Sequence, residues 1–138
     1  MVRVPHLRIA EAACLLGVSD DTVRRWAEQG RLRLEKGQNG RAVVDGVELA
    51  SLARELGAKP AGGGLGPRSA RNSLRGIVTG VTRDTVMAQV ELQAGPFRVV
   101  SLMSREAADE LDLEVGTVAY ASIKATNVVV ELDDRARP

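Results

Sequence analysis

The sequence of 138 residues has almost no aromatic side chains: Trp26, Phe97 and Tyr120 are the whole set, 2% of the chain. Its cores must therefore be aliphatic and alanine-rich, and it has no ring platform on which a base or sugar could stack. The single cysteine, Cys14, excludes a disulfide framework and a cysteine zinc cluster, and it lacks the flanking base that would make its thiol reactive. The single histidine, His6, has no paired cysteine or carboxylate motif and reads as a surface residue ahead of the first helix. Glu110, Asp112 and Glu114 form a solvated charged run at a helix end, so nothing in the chain points to an enzyme. No apolar run reaches the length of a membrane span, which leads us to expect a soluble, cytoplasmic protein with no membrane partner. Neither sign of charge dominates: 19 Lys and Arg against 18 Asp and Glu give a net charge of +1. That balance excludes a strongly basic nucleic-acid coat but leaves room for a local basic patch.

What is present is 44% hydrophobic residues, enough for one ordinary domain or two small ones. In the first half, Ile9, Ala12, Ala13 and Leu16 recur at helical spacing. Gly17-Val18 ends that helix. Ser19 then caps a second helix whose first turn carries Asp20 and Asp21, where the helix dipole favours anions. Val23, Trp26 and Ala27 form its buried stripe and Gly30 stops it. Leu32 to Leu34 and Ala42 to Val44 read as a hairpin around the Asn39-Gly40 turn signal, and Leu49, Leu52, Ala53 and Leu56 give a third helix. The order helix, turn, helix, wing, helix is that of a winged helix-turn-helix.

Within it, Val18-Ser19-x-x-Thr22-Val23-Arg24-Arg25-Trp26-x-x-x-Gly30-x-Leu32 resembles the MerR and excisionase class of DNA-binding domain, over residues 7–57. The resemblance implies that the second helix enters the major groove and the wing lies along the backbone. DNA is then the partner, with Arg24 and Arg25 as groove residues and Ser19 and Thr22 beside them. Arg33, Lys36, Gln38, Asn39 and Arg41 would track phosphates. Asp20 and Asp21 depart from the neutral or basic residues usual there. Residues 1–59 hold ten Lys and Arg against eight Asp and Glu, whereas residues 60–138 hold nine against ten. So small a basic excess predicts weak, salt-dependent binding per monomer and a need for paired domains.

Residues 59–68 are rich in glycine, without an apolar period, and read as a flexible linker. No Gly-Lys-Ser or Gly-Lys-Thr comes after them, which excludes a phosphate-binding loop there. Beyond the linker the period becomes two. Leu74 to Val81, Met87 to Leu92, Phe97 to Leu102, Val118 to Lys124 and Asn127 to Leu132 read as five strands, with a short helix capped by Ser104 before the fourth. Five strands and one helix fit a small OB-like barrel, placed after a mainly α winged domain. The boundaries expected are 1–58, a linker at 59–68, a barrel at 69–132 and a disordered tail at 133–138.

The chemistry gathers at two stretches of the barrel, Ser69-Ala70-Arg71-Asn72 and Ile123-Lys124-Ala125-Thr126-Asn127-Val128. Each sets a cation beside hydroxyl and amide donors, with no carboxylate nearby. Donors without acceptors suit a small, fully ionised oxyanion. Together with Leu74-x-Gly76-x-Val78, these stretches resemble the Mop domain of the TOBE family, the molybdate- and tungstate-binding domains of molbindins and molybdate-responsive regulators. The resemblance covers residues 69–132 and implies self-association, as a trimer of dimers when one such unit is present per chain, or as a dimer. It implies oxyanion sites where subunits meet. Carried over by position, the site residues are Ser69, Arg71, Lys124, the amide of Ala125 and Thr126, with the amides of Val86 and Met87 as weaker members. The ligand expected is molybdate or tungstate, with no cofactor and no bare metal cation.

Three functions are compatible with this reading: an oxyanion-responsive transcription regulator, a molybdate storage protein whose helix-turn-helix serves assembly, and an architectural DNA binder whose barrel only oligomerises. Arg71 and Lys124 weigh against the third.

Overall fold

The computed structural model describes residues 5–57 and 65–133. Residues 59–64 of the expected linker and 134–138 of the expected tail lie outside the described residues. The chain divides into two units.

The first unit runs β1 (His6–Arg8), α1 (Ile9–Leu16), α2 (Asp20–Glu28), β2 (Leu34–Lys36), β3 (Ala42–Asp45) and α3 (Gly46–Gly57). Ser19 caps α2 as its residue type predicts, its Oγ accepting from the Thr22 amide at 3.2 Å. The wing is a hairpin of β2 and β3, closed by the Gly37 amide on the Arg41 carbonyl at 2.8 Å. Gly40 turns it at φ 71°, a left-handed conformation that glycine adopts without strain. The sheet also has a third strand, β1, antiparallel to β3, which the sequence did not announce because three residues cannot display a period of two. Ile9, Ala12, Ala13, Val23, Leu32, Val44, Leu49 and Leu52 make the core, with Trp26 half-buried against it. Leu56, expected on the buried stripe of α3, is exposed; it lies in the last turn, past the reach of that core.

The second unit is a curled antiparallel sheet of β4 (Asn72–Arg83), β5 (Met87–Ala94), β6 (Phe97–Ser104) and β7 (Val118–Ile123), in the order β6-β5-β4-β7, with α4 (Arg105–Glu110) between β6 and β7. Ala88, Val90 and Leu92 on β5 are buried in alternation with wet neighbours, as their period requires. Val78, Val90, Leu92 and Leu113 form a thin core. A register shift between Val78 and Gly80 bends β4, and Gly76 lets the strand close on its neighbour: a Cβ there would lie 2.7 Å from the Gln93 carbonyl oxygen. Ser104 caps α4 through the Ala107 amide at 3.0 Å. Arg83 fastens the far side, donating to the Leu113 carbonyl at 2.8 Å and pairing with Asp109 and Glu114.

One expected element differs. Asn127 to Leu132 does not form a fifth strand: Ala125–Asn127 is a 3₁₀ turn, and residues 128–132 carry no strand. The turn, closed by the Asn127 amide on the Lys124 carbonyl at 2.9 Å, carries the chain off the end of β7. The segment beyond the turn keeps its apolar character without a strand partner, with Val129 81%, Val130 87% and Leu132 76% exposed.

Candidate functional site

The two donor-rich stretches meet at one end of the β4–β7 pair. Asn72 stands opposite Ile123 in the ladder, and its Nδ2 donates to the Ile123 carbonyl at 3.1 Å. Ser69 and Arg71 thus lead into β4 where Lys124, Ala125 and Thr126 leave β7. All five are exposed. Neither Arg71 nor Lys124 makes an ion pair among the described residues. The amides of Ala125 and Thr126 likewise donate to no acceptor among the described residues, because the 3₁₀ turn begins only with the Asn127 amide. A guanidinium fork, a point charge, two hydroxyls and two such amides suit a multiply charged oxyanion, and the two positive charges repel a cation.

Val86 and Met87 lie elsewhere. They come after the other end of β4, and along its 12 residues the two ends stand at most about 36 Å apart at roughly 3.3 Å per residue. In one copy they therefore sit beyond the opposite end of β4 from Ser69 and Arg71. Their amides are also occupied: Asp84 Oδ1 accepts from Val86 at 2.8 Å and from Met87 at 2.6 Å. These bonds, from Met87 first and Val86 second, with a smaller pull from the Arg105 charge, hold the Asp84 carboxyl below the usual carboxylate range. A carboxylate already seated in this turn repels a second anion.

On the first unit, Arg24 is exposed on α2 without a hydrogen bond or ion pair among the described residues, and Arg25 is partly engaged. Arg25 Nη2 donates to Thr22 Oγ1 at 3.3 Å, and that hydroxyl lies 2.9 Å from Ser19 Oγ. Ser19 and Thr22 are therefore positioning groups at the start of α2. Lys36, Gln38, Asn39 and Arg41 sit exposed along the wing, none bonded through its side chain among the described residues. Arg33 is different: its amide donates to Glu48 Oε1 at 3.2 Å, and its side chain shares an open groove with Arg24, Glu28 and Glu48. The two glutamates dilute the positive potential on that side. Arg31, stacked over the Trp26 ring at 5.4 Å, is an additional cation near this face that spacing alone did not reveal.

Residues 68–130 match the TOBE domain family and residues 7–57 match a helix-turn-helix domain family. The chain is 46% identical over 66 residues to a probable molybdenum-pterin-binding protein of Haemophilus influenzae, covering 47% of this chain and 96% of that one. It is 40% identical over 63 residues to molybdenum-pterin-binding protein 3 of Clostridium pasteurianum, covering 45% and 93%. Over 86 residues it is 34% identical to the molybdenum transport protein ModE of Herbaspirillum seropedicae, covering 62% of this chain but 29% of that protein. Among solved structures, a molybdate-binding protein from Sporomusa ovata is 29% identical and covers 48% of this chain and 98% of that one, with a TM-score of 0.47. The chain belongs to the TOBE family through its second unit and carries a helix-turn-helix domain ahead of it.

Proposed function

We propose that this protein is a molybdate- or tungstate-responsive DNA-binding regulator. The observation that carries the proposal is the meeting of Ser69–Asn72 with Ile123–Thr126 through the Asn72–Ile123 bond, which gathers two cations and two amides that bond to no carboxylate or other acceptor among the described residues. Relatives of the second unit named for binding molybdenum compounds support the choice of ligand, and the helix-turn-helix match supports DNA as partner. The proposed anion set is Ser69, Arg71, Lys124, Ala125 and Thr126. Val86 and Met87 are omitted because Asp84 holds their amides. Arg24 and Arg25 read bases, and Lys36, Gln38, Asn39 and Arg41 hold phosphates.

The active form in this reading is a homo-oligomer. Supporting it are the exposed, unpaired apolar segment at Val128 to Leu132 and the sheet edges on β6 and β7, neither of which gains a further strand among the described residues. Fully burying one Val or Leu is worth about 1.5–3 kcal/mol, so covering this segment with a second copy is a strong drive to assemble. A trimer of dimers and a dimer both satisfy it. Assembly also pairs the weak DNA readers.

Storage is the second reading. Two relatives named for binding molybdenum-pterin are covered over 96% and 93% of their length by 66 and 63 residues of this chain, too few to include the helix-turn-helix as well. Calorimetric titration of the full chain with molybdate, tungstate and sulfate tests the shared part of both readings. Binding of the first two in preference to sulfate is expected, and heat changes no larger than dilution would refute it.

A further inference from the structure

The outward face of the β4–β7 pair carries more positive charge than the family motif accounts for. Residues opposite each other in an antiparallel ladder project to the same side, and the register sets Ser73 against Ser122 and Arg75 against Tyr120. Val78 and Ala119 face the core, so alternation turns Ser73, Arg75, Tyr120 and Ser122 away from it. Arg71 and Lys124 continue those rows one step past the strand ends. Arg68 joins this face from outside both motifs: its Nη1 donates to Ser122 Oγ at 3.0 Å, across 54 residues of sequence. Arg68, Arg71, Arg75 and Lys124 make no ion pair among the described residues, while Arg83, Arg98 and Arg105 all do. The Ser73 hydroxyl, buried opposite Ser122, has no hydrogen-bond partner among the described residues.

We infer that Arg68 is a third cation of the oxyanion site and that Ser122 is the residue that positions it. The inference rests on the oxyanion reading of Arg71 and Lys124. A guanidinium has five N–H donors in a fixed plane. Ser122 takes one, which leaves the rest of the fork free two residues before Lys124 on the same side of the strand. The arrangement has a consequence for selectivity. Coulomb attraction scales with ligand charge, so each added fixed cation favours a dianion over its singly protonated form. Arg75 lies on the same face, three residues further along β4 than Asn72, opposite Tyr120. It supplies the control: an equal charge, farther from the end where the motifs meet.

The test is calorimetric titration of the full chain with molybdate at fixed salt, comparing the parent with Arg68→Gln, Ser122→Ala, Ser122→Thr and Arg75→Gln. Arg68→Gln should weaken binding roughly tenfold and Ser122→Ala several-fold, as for loss of a charge-assisted bond and of the group that aims it. Ser122→Thr keeps the hydroxyl and should bind like the parent. Arg75→Gln should change affinity by less than about twofold, as expected of an exposed charge off the site. Arg68→Gln binding like the parent, or Arg75→Gln losing as much as Arg68→Gln, would overturn the inference. Ser122→Ala binding like the parent would overturn the positioning role. Should Arg71→Ala and Lys124→Ala lose affinity while Arg68→Gln does not, the inference falls and the oxyanion reading stands. A parent that binds no molybdate removes both.

Discussion

Asn72 and Ile123, 51 residues apart, face each other across β4 and β7, and the Asn72 side-chain amide donates to the Ile123 carbonyl at 3.1 Å. This bond adds a side-chain tie to the ladder where the two donor-rich stretches of the proposed anion site meet. Asn72→Ala should cost about 1 kcal/mol of stability and should also weaken molybdate binding by letting Lys124 and Thr126 drift from Arg71. Denaturant unfolding and titration of the same variant check both effects. Lost stability with unchanged affinity would mean that the bond serves the sheet alone.

Arg71 and Lys124 pair with no carboxylate among the described residues, and the proposed site uses their charge. Removing either by substitution with alanine should weaken molybdate binding by about 1.5–3 kcal/mol, roughly ten- to a hundredfold. Arg71→Lys should recover only part of this, because a point charge replaces a planar fork. Equilibrium dialysis at fixed ionic strength measures all three.

Gly76 and Gly80 both lie in the curled strand β4, but only one has no room for a side chain. A Cβ at Gly76 would sit 2.7 Å from the Gln93 backbone oxygen, whereas at Gly80 its nearest neighbour is the Glu91 carboxylate at 3.8 Å. Gly76→Ala should therefore destabilise the unit by about 1–3 kcal/mol, as overpacking does. Gly80→Ala should unfold close to the parent midpoint in urea.

Asp84 gives the second unit a pH dependence of definite sign. Its carboxyl is held below the usual range by the Met87 and Val86 amides. A carboxylate whose folded pKa is depressed contributes stability that is complete above its unfolded pKa and is lost as pH falls through the folded value. The parent should thus lose thermal stability in the acid range through this group. Asp84→Asn should lower the melting temperature at neutral pH and flatten the acid dependence. An acid dependence unchanged in the variant would assign it to other carboxylates.

The elements whose side chains repeat were legible in the sequence. The 3.6-residue stripe of Ile9, Ala12 and Ala13 and the alternation of Ala88, Val90 and Leu92 determined both type and buried face, and Ser19 and Ser104 marked their helix starts by residue chemistry. Features set by tertiary partners were not legible. Strand β1 is too short to show a period, and the apolar run after Asn127 reads as a strand although the 3₁₀ turn removes it from β7. The occupied amides of Val86 and Met87 depend on where Asp84 folds back, and the Arg68–Ser122 bond spans 54 residues, so local patterning carries no trace of it. The two donor-rich stretches stood out in the sequence because each is a contiguous motif, and the structure brings them to one end of the β4–β7 pair. The bond that ties those motifs did not stand out, since it joins residues from opposite ends of the unit.

The central claim is that an oxyanion governs how this protein reads DNA. Its most direct test is selection from a random duplex pool with the full chain at fixed salt, with and without saturating molybdate, and then titration of the enriched sequence under both conditions. We predict a defined, enriched sequence whose affinity changes by about 5- to 150-fold with molybdate, a coupling of about 1–3 kcal/mol, and whose base preference relaxes in Arg24→Ala. Sequence-specific binding of equal strength in both conditions would contradict the sensor, and no enrichment in either would leave oxyanion storage as the function.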